Sequence, residues 1–462
     1  MIEKYYNGVI EQVAGGIGNV EHNSILVRYS NDFSIWDLES VNHYKDQTDI
    51  FFTCHEFSYN KIAEAYEPYL GLIRQMFHKY CSGTLEEFME ECDVYKLQRP
   101  VFESYFEKGF CERTEQILID EVEYEQERMH SSIVTMLQKL SEICPIVIVL
   151  NRFQLASKST MQLTNRLLQT KNKNIGIVLG VNDVQSIPEF AHEEWDAICE
   201  SMDDRNMVYH IGNAGRNMEP DVMDYYSDYE SDDGYRKLNN LVYFLDFDQA
   251  DHHLSKIERR IKFDNFTISE KKHYQLLLLQ IMVSVLQRDI AKALESCEDL
   301  EKLQDQEKEG AFYYNFWMAT SYMYLGKLEE AMIYVQKAKE CGEALGDDFL
   351  VFRAELLKAQ NQMSGWCNIF FCAQDIEISD KLIEKLNAYH YKNHLAHIYI
   401  YAYDNKPEIV AKAYRSEAFL IYFSKGVALA KEIGNEQLIS IAYRKNIMIA
   451  STNGEYEVSL LY

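Results

Sequence analysis

Two fifteen-residue stretches of this chain overlay at a constant offset of 88 residues, and that self-similarity constrains the fold more than any other feature. Tyr334–Asp348 reads YVQKAKECGEALGDD, and Tyr422–Glu436 reads YFSKGVALAKEIGNE. The tyrosine, the lysine three residues on, the small residue after it and the glycine twelve residues on all coincide. Similarity at a fixed offset marks stacked supersecondary units, because one such unit cannot bury its own apolar face. An offset of 88 suggests two units of about 44 residues. Upstream, Ala293 and Cys297 repeat the small-residue spacing, with Ala293 lying 38 positions before Ala331. Only 20 glycines and 6 prolines occur in 462 residues, which favours long helices over a turn-rich β fold.

Tyr314–Asp347, YNFWMATSYMYLGKLEEAMIYVQKAKECGEALGD, resembles a tetratricopeptide repeat. In such a repeat, small residues sit where two helices approach and bulky ones fill the groove. Ala319 and Tyr322 then face inward on the first helix, Gly326 makes the turn, and Ala331, Val335 and Ala338 follow at i, i+4, i+7. We expect an all-α repeat array over 268–462, presenting a groove to a protein or peptide, with self-association as a further partner class. Phe349–Cys372 fits the pattern only weakly. Ile447–Tyr462 reads as an incomplete last repeat turning at Gly454, which suggests a piece of a longer protein.

Residues 1–215 have a different rhythm. Short β-branched runs at Ser24–Tyr29, Asp49–Cys54, Ile146–Leu150, Ile175–Leu179 and Met207–Ile211 read as strands. Helical patterns lie between them, notably Glu121–Ile143 and Thr160–Thr170. Strands separated by helices imply an α/β fold with a largely parallel sheet. The run PIVIVL shows no alternation, as a strand buried on both faces should.

Ile143–Gln169, ICPIVIVLNRFQLASKSTMQLTNRLLQ, resembles the Walker B region of STAND-class signalling P-loop ATPases, which occur in bacterial regulators beside tetratricopeptide arrays. Pro145, the strand after it, Gln154, Ala156, Ser159 and the Leu163/Leu167/Leu168 helix carry the likeness, and YEPYLGLIRQM after the second strand adds to it. The resemblance implies a P-loop-NTPase-like domain, yet the positions that handle nucleotide depart from the family. Asn151 and Arg152 replace the acidic pair that holds Mg²⁺, and a guanidinium there repels a metal. Asn182 or Asp183 stands at the arginine sensor position. After the first strand comes Ser30-Asn31-Asp32-Phe33-Ser34-Ile35-Trp36, without the glycines and Gly-Lys-Ser/Thr that cradle phosphate. The cluster Gly15-Gly16-Ile17-Gly18 precedes that strand and reads as a simple turn. The sequence therefore predicts a degenerate P-loop at Asn31, Asp32 and Ser34, a degenerate Walker B at Asn151 and Arg152, and a pseudo-ATPase with no catalytic residues, cofactor or metal.

Residues 216–267 open with RNMEPDVMDYYSDYESDDGY and read as an acidic linker and connecting segment. Asp228, Glu230 and Asp232 alternate as in a calcium loop, but Asp233 stands where glycine is required and Asn239 where a bidentate glutamate is required. His390, His394 and His397 share one helical face without a nearby acid or cysteine to complete a zinc site. The pair His252–His253 points to different faces, and Cys367 and Cys372 are too loosely spaced for a redox motif.

A net charge of −27 argues against nucleic acid as a partner. No run approaches the 18 apolar residues of a membrane span, and the start lacks a signal-peptide pattern. Ten cysteines without CxxC pairs fit reduced thiols, so a cytoplasmic location is expected. The functional expectation is a bacterial regulatory or sensory module whose output domain, such as a GGDEF diguanylate cyclase or a DNA-binding helix-turn-helix, lies outside these residues. The alternatives are a divergent nucleotide-binding STAND switch and a stand-alone adaptor.

Overall fold

The computed structural model describes residues 2–18, 23–29, 34–46, 49–58, 61–170, 172–182, 187–203, 208–211, 231–263, 266–364, 380–401 and 417–452. The chain forms two compact units. One comprises Met1–Val94, Val101–Glu112 and Gln126–Arg260, the other Tyr95–Pro100, Arg113–Glu125 and Ile261–Tyr462.

The first unit is built on five parallel strands: β1 (Ser24–Tyr29), β2 (Phe51–Glu56), β3 (Ile146–Asn151), β4 (Ile175–Asn182) and β5 (Val208–Ile211), ordered β2-β3-β4-β1-β5. Each overlaps a strand expected from the sequence. Every residue of β3 and β4 is buried, which is why neither shows a polar alternation. The helices are α1 (Ile2–Gly15), α2 (Glu39–Lys45), α3 (Tyr69–Tyr80), α4 (Leu85–Glu91), α5 (Arg99–Lys108), α6 (Val122–Ile143), α7 (Lys158–Gln169), α8 (His192–Asp203), α9 (Asp232–Tyr243) and α10 (Phe247–Phe263). The first residues of α5 and α6 and the last three of α10 belong to the second unit.

Helix α1 lies on β1, β3 and β4 and buries Tyr6, Ile10 and Val13 completely, each worth about 1.5–3 kcal/mol of apolar transfer. Two glycines of β4 admit it so closely. A Cβ on Gly176 would lie 2.7 Å from Val13 Cγ1, and one on Gly180 would collide with Tyr6 Oη and lie 2.6 Å from Asn151 Oδ1. The Gly15–Gly18 cluster closes α1: the Gly16 amide donates to the Gln12 carbonyl and the Gly18 amide to that of Lys173.

The connecting segment differs from expectation. Residues 212–230 lie outside the described residues, but from Ser231 onward the chain is helical. Ser231 caps α9, its Oγ accepting from the Gly234 amide, and Asp232 and Asp233 occupy the first turn, where carboxylates suit the helix dipole. Asp232 and Asp233 thus start a helix. Leu238, Leu241, Val242, Ala250, Leu254 and Ile257 of α9 and α10 are core residues of the first unit.

The second unit contains α11 (Glu270–Leu286), α12 (Ile290–Glu301), α13 (Gly310–Tyr324), α14 (Leu328–Leu345), α15 (Asp348–Ser364), α16 (Asp380–Ala388), α17 (Lys392–Tyr401), α18 (Glu417–Ile433) and α19 (Glu436–Thr452). Each packs on the next, and α13 also packs on α11 and α15, the local contact pattern of a repeat array. Ala319, Ala331 and Ala338 are fully buried and Val335 nearly so. Tyr322 is half-buried and stacks on Tyr334 with ring centroids 5.5 Å apart.

One turn recurs. Arg288, Gly326, His390 and Gly434 adopt left-handed backbone, at φ 63°, 71°, 60° and 77°. The next amide then reaches back five residues: Asp289 to the Ser284 carbonyl, Lys327 to Tyr322, Tyr391 to Leu386 and Asn435 to Ala430, at 2.8–2.9 Å. This is the bond pattern of a Schellman cap. Leu245, at φ 66°, and Asp246 form the same turn between α9 and α10. Ala250, Ala293 and Ala331 each follow such a turn by five residues and have no exposed surface. The repeated motif thus begins before residue 268.

Candidate functional site

In an open parallel sheet, ligands enter where the strand order reverses, beside the carboxyl ends of the strands. Here the chain leaves β1 toward β2 and leaves β4 toward β5, so the reversal lies between β1 and β4. Tyr29 pairs with Asn182 across that point, and Asn151 pairs with Glu56 at the ends of β3 and β2. Tyr29, Asn151 and Gln154 have no exposed surface. The Tyr29 hydroxyl donates to Asn151 Oδ1 at 2.8 Å, and the Asn182 amide donates to Gln154 Oε1 at 3.3 Å. Buried side chains at the ends of β1 and β3 thus form a hydrogen-bonded plug at this point.

The residues singled out as degenerate nucleotide ligands fall around this plug. Asn31, Asp32 and Asp183 lie outside the described residues. Ser34 caps a single 3-10 turn, Ile35–Asp37, and its Oγ also donates to Glu56 Oε2 at 3.1 Å. The next helix, α2, starts at Glu39 and has seven residues, so among the described residues no long helix opens after β1 to aim amides at a phosphate. Arg152 has φ 53°, and its guanidinium lies 3.4 Å from the Glu56 carboxylate. Among the described residues no acidic pair for magnesium stands at the end of β3, where Asn151 is followed by Arg152 and the Arg152 cation is compensated by Glu56.

Next to the plug is a cavity of about 300 Å³ at the carboxyl end of β2, its wall including His55, Glu56, Lys61, Glu64, Glu67 and Arg236. Burial and the neighbouring Glu64 raise the Glu67 carboxyl to about 7, while burial and Lys61 lower His55 to about 4. His55 Nε2 and Glu67 Oε1 are 3.5 Å apart. Arg236 donates to both Glu64 and Asp233, at 2.9 and 2.8 Å, so most of the charge lining the cavity is internally compensated.

A second polar centre lies wholly within the helical unit, and it corrects the expectation that the histidine face lacks acids. His390 forms the turn before α17, but His394 and His397 each meet a glutamate from far upstream. Glu115 accepts from the Asn393 amide at 3.0 Å and from the His394 amide and Nδ1, both at 2.5 Å. Glu121 accepts from His397 Nε2 at 2.8 Å, Asn435 Nδ2 at 2.6 Å and Asn393 Nδ2 at 2.5 Å. The two histidine–glutamate pairs are 279 and 276 residues apart in sequence, so no local spacing could have announced them. Burial alone would raise the Glu121 carboxyl, but the bonds from His397, Asn435 and Asn393 prevail and hold it at about 2. Among the described residues, no group of three or more histidine, cysteine, aspartate or glutamate side chains could hold a metal ion. The eight cysteines among them are free thiols, and no described helix is long and apolar enough to cross a membrane. Cys367, Cys372, Asp228 and Glu230 lie outside the described residues.

These features define a protein of two parts: a parallel α/β unit with a buried hydrogen-bonded plug at its strand-order reversal, and a helical repeat unit with a buried carboxylate-binding network. No family model matches the chain, and no curated relative matches it. Among solved structures it is similar to a Signal Transduction ATPase with Numerous Domains (STAND) protein with a tetratricopeptide repeat sensor from Pyrococcus horikoshii. That similarity has 12% identity and a TM-score of 0.42, and covers 97% of this chain and 80% of the other.

Proposed function

We propose that this chain is a non-catalytic regulatory module, in which a pseudo-ATPase α/β unit is retained for its packing and a tetratricopeptide-like array binds a protein or peptide. The observation that carries this reading is the buried Tyr29–Asn151 bond at the strand-order reversal, where a nucleotide would need open space and free amides. Breaking that bond to admit a ligand would leave buried polar groups unpaired, which costs about 1–3 kcal/mol before any ligand contact is made. Isothermal titration with ATP and Mg²⁺ tests it. No heat of binding up to millimolar nucleotide is expected, and micromolar binding with hydrolysis would refute it.

A further inference from the structure

The repeat unit already holds a peptide-like segment of this chain. Arg113–Glu125 belongs to that unit, although both sequence neighbours, Val101–Glu112 and Gln126–Arg260, belong to the other. Its ends are joined by the buried ion pair of Arg113 with Glu125, and between them the segment engages the array at four positions. Glu115 receives two backbone amides at the start of α17. Ile119 joins the apolar core of α11–α15. Glu121 receives Asn393, His397 and Asn435, which come from two different helix pairs. The Tyr124 hydroxyl donates to the Gly434 carbonyl at 3.2 Å and accepts from the Glu436 amide at 3.0 Å.

The donors are specific for charge. Every group that meets the two carboxylates is an N–H, so an amide side chain in either place would turn its NH₂ toward another donor. Hydrogen bonds to an ionised acceptor are also about twice as strong as neutral ones. A surface that converges from separate repeats on two carboxylates, an aliphatic side chain and a phenol has the features of peptide recognition.

We propose that Asn393, His394, His397 and Asn435 form a dicarboxylate-reading site for acidic peptides of the pattern Glu-x3-Ile-x-Glu-x2-Tyr, and that Glu115–Tyr124 is its resting occupant in cis. This rests on the array being an interaction surface, and it stands apart from whether the α/β unit takes up nucleotide. The internal segment has a high effective concentration, so a peptide in trans is excluded while the two carboxylates are docked.

The test uses the full chain and a fluorescein-labelled peptide covering residues 112–126, read by anisotropy. The double variant Glu115→Gln/Glu121→Gln should bind the peptide, and the wild type should bind it at least about tenfold more weakly. A peptide carrying glutamine at both positions should bind the double variant at least about tenfold more weakly than the native peptide. The proposal is overturned if the double variant keeps hydrogen-exchange protection in α17 and α19 yet binds nothing. It is equally overturned if the glutamine peptide binds as well as the native one, or if the wild type binds as tightly as the variant. Should α17 and α19 lose protection in the double variant, Glu115→Gln alone is read in the same assay, and the same three outcomes decide.

Discussion

Replacing Glu121 by glutamine isolates the buried network in one step. The side chain is 2% exposed and accepts three bonds, from His397, Asn435 and Asn393. Glutamine keeps the shape but leaves one acceptor oxygen, and turns an NH₂ toward an asparagine NH₂ or the imidazole. Holding a carboxyl at about 2 against an ordinary 4.5 is worth about 3 kcal/mol at neutral pH. Because the folded state favours the charged form, this contribution is complete above pH 4.5 and is lost as the pH falls toward 2. The wild type should therefore exceed E121Q by about 3 kcal/mol at pH 7, and the gap should narrow steadily through pH 4 and 3. Urea unfolding at each pH, followed by hydrogen exchange of the α17 and α19 amides, measures the gap, and taking the difference cancels the other carboxylates. A gap that is absent at pH 7, or constant from pH 7 to 2.5, would refute the reasoning.

Other perturbations probe the rest of the molecule. Gly180→Ala forces a methyl against Tyr6 Oη and Asn151 Oδ1, and should destabilise the α/β unit by about 1–3 kcal/mol, seen as a lower thermal midpoint. Tyr29→Phe removes the hydroxyl that donates to Asn151 and should cost about 1–2 kcal/mol without creating ATP binding; measurable nucleotide affinity in this variant would show that the plug alone blocks the site. His390→Gly relieves left-handed backbone at φ 60° and should raise stability by about 0.5–1 kcal/mol, whereas the same change at exposed helical Lys381 should lower it. Glu67 works in the opposite sense to Glu121. Its carboxyl is raised to about 7, so the folded state gains a proton between pH 4.5 and 7 and stability falls as the pH rises through that window. With the side chain 33% exposed, screening reduces the effect to about 1 kcal/mol, and Glu67→Gln should flatten that part of the pH–stability curve.

The parts legible in the sequence are those encoded by local periodicity. PIVIVL could be read as a buried strand because both faces of β3 are covered, and the Ala331/Val335/Ala338 stripe as a helix contact because its spacing is intrinsic to the helix. The plug was half legible: the departures at Asn151 and Arg152 stand in the sequence. That Tyr29 reaches Asn151 depends on the strand order, which puts β1 beside β4. The Glu121–His397 pair was hidden more deeply, because its partners are 276 residues apart and neither carries a local pattern. The repeat turns were obscured for another reason. A left-handed turn usually announces itself by glycine, as at Gly326 and Gly434, but Leu245, Arg288 and His390 occupy the same geometry.

What identifies the turn across these cases is a left-handed residue whose following amide bonds five residues back. At Asp246, Asp289 and Asn435 that following residue also caps the next helix with its side chain. Asp289, for instance, accepts from the Lys292 amide, and Asn435 from that of Leu438. Where lysine or tyrosine follows instead, at Lys327 and Tyr391, the same backbone bond closes the turn. The unit is therefore set by the cap more than by a fixed length. Turns of this kind at Leu245, Arg288 and Gly326 are 43 and 38 residues apart, and those at Gly346 (where the Asp347 amide reaches the Gly342 carbonyl), His390 and Gly434 are each 44 apart. A search for strict periodicity sees only the last of these. The network at Glu121 draws Asn393 from just after the His390 turn and Asn435 from the Gly434 turn, so caps that end helices also place the donors that hold the acidic segment.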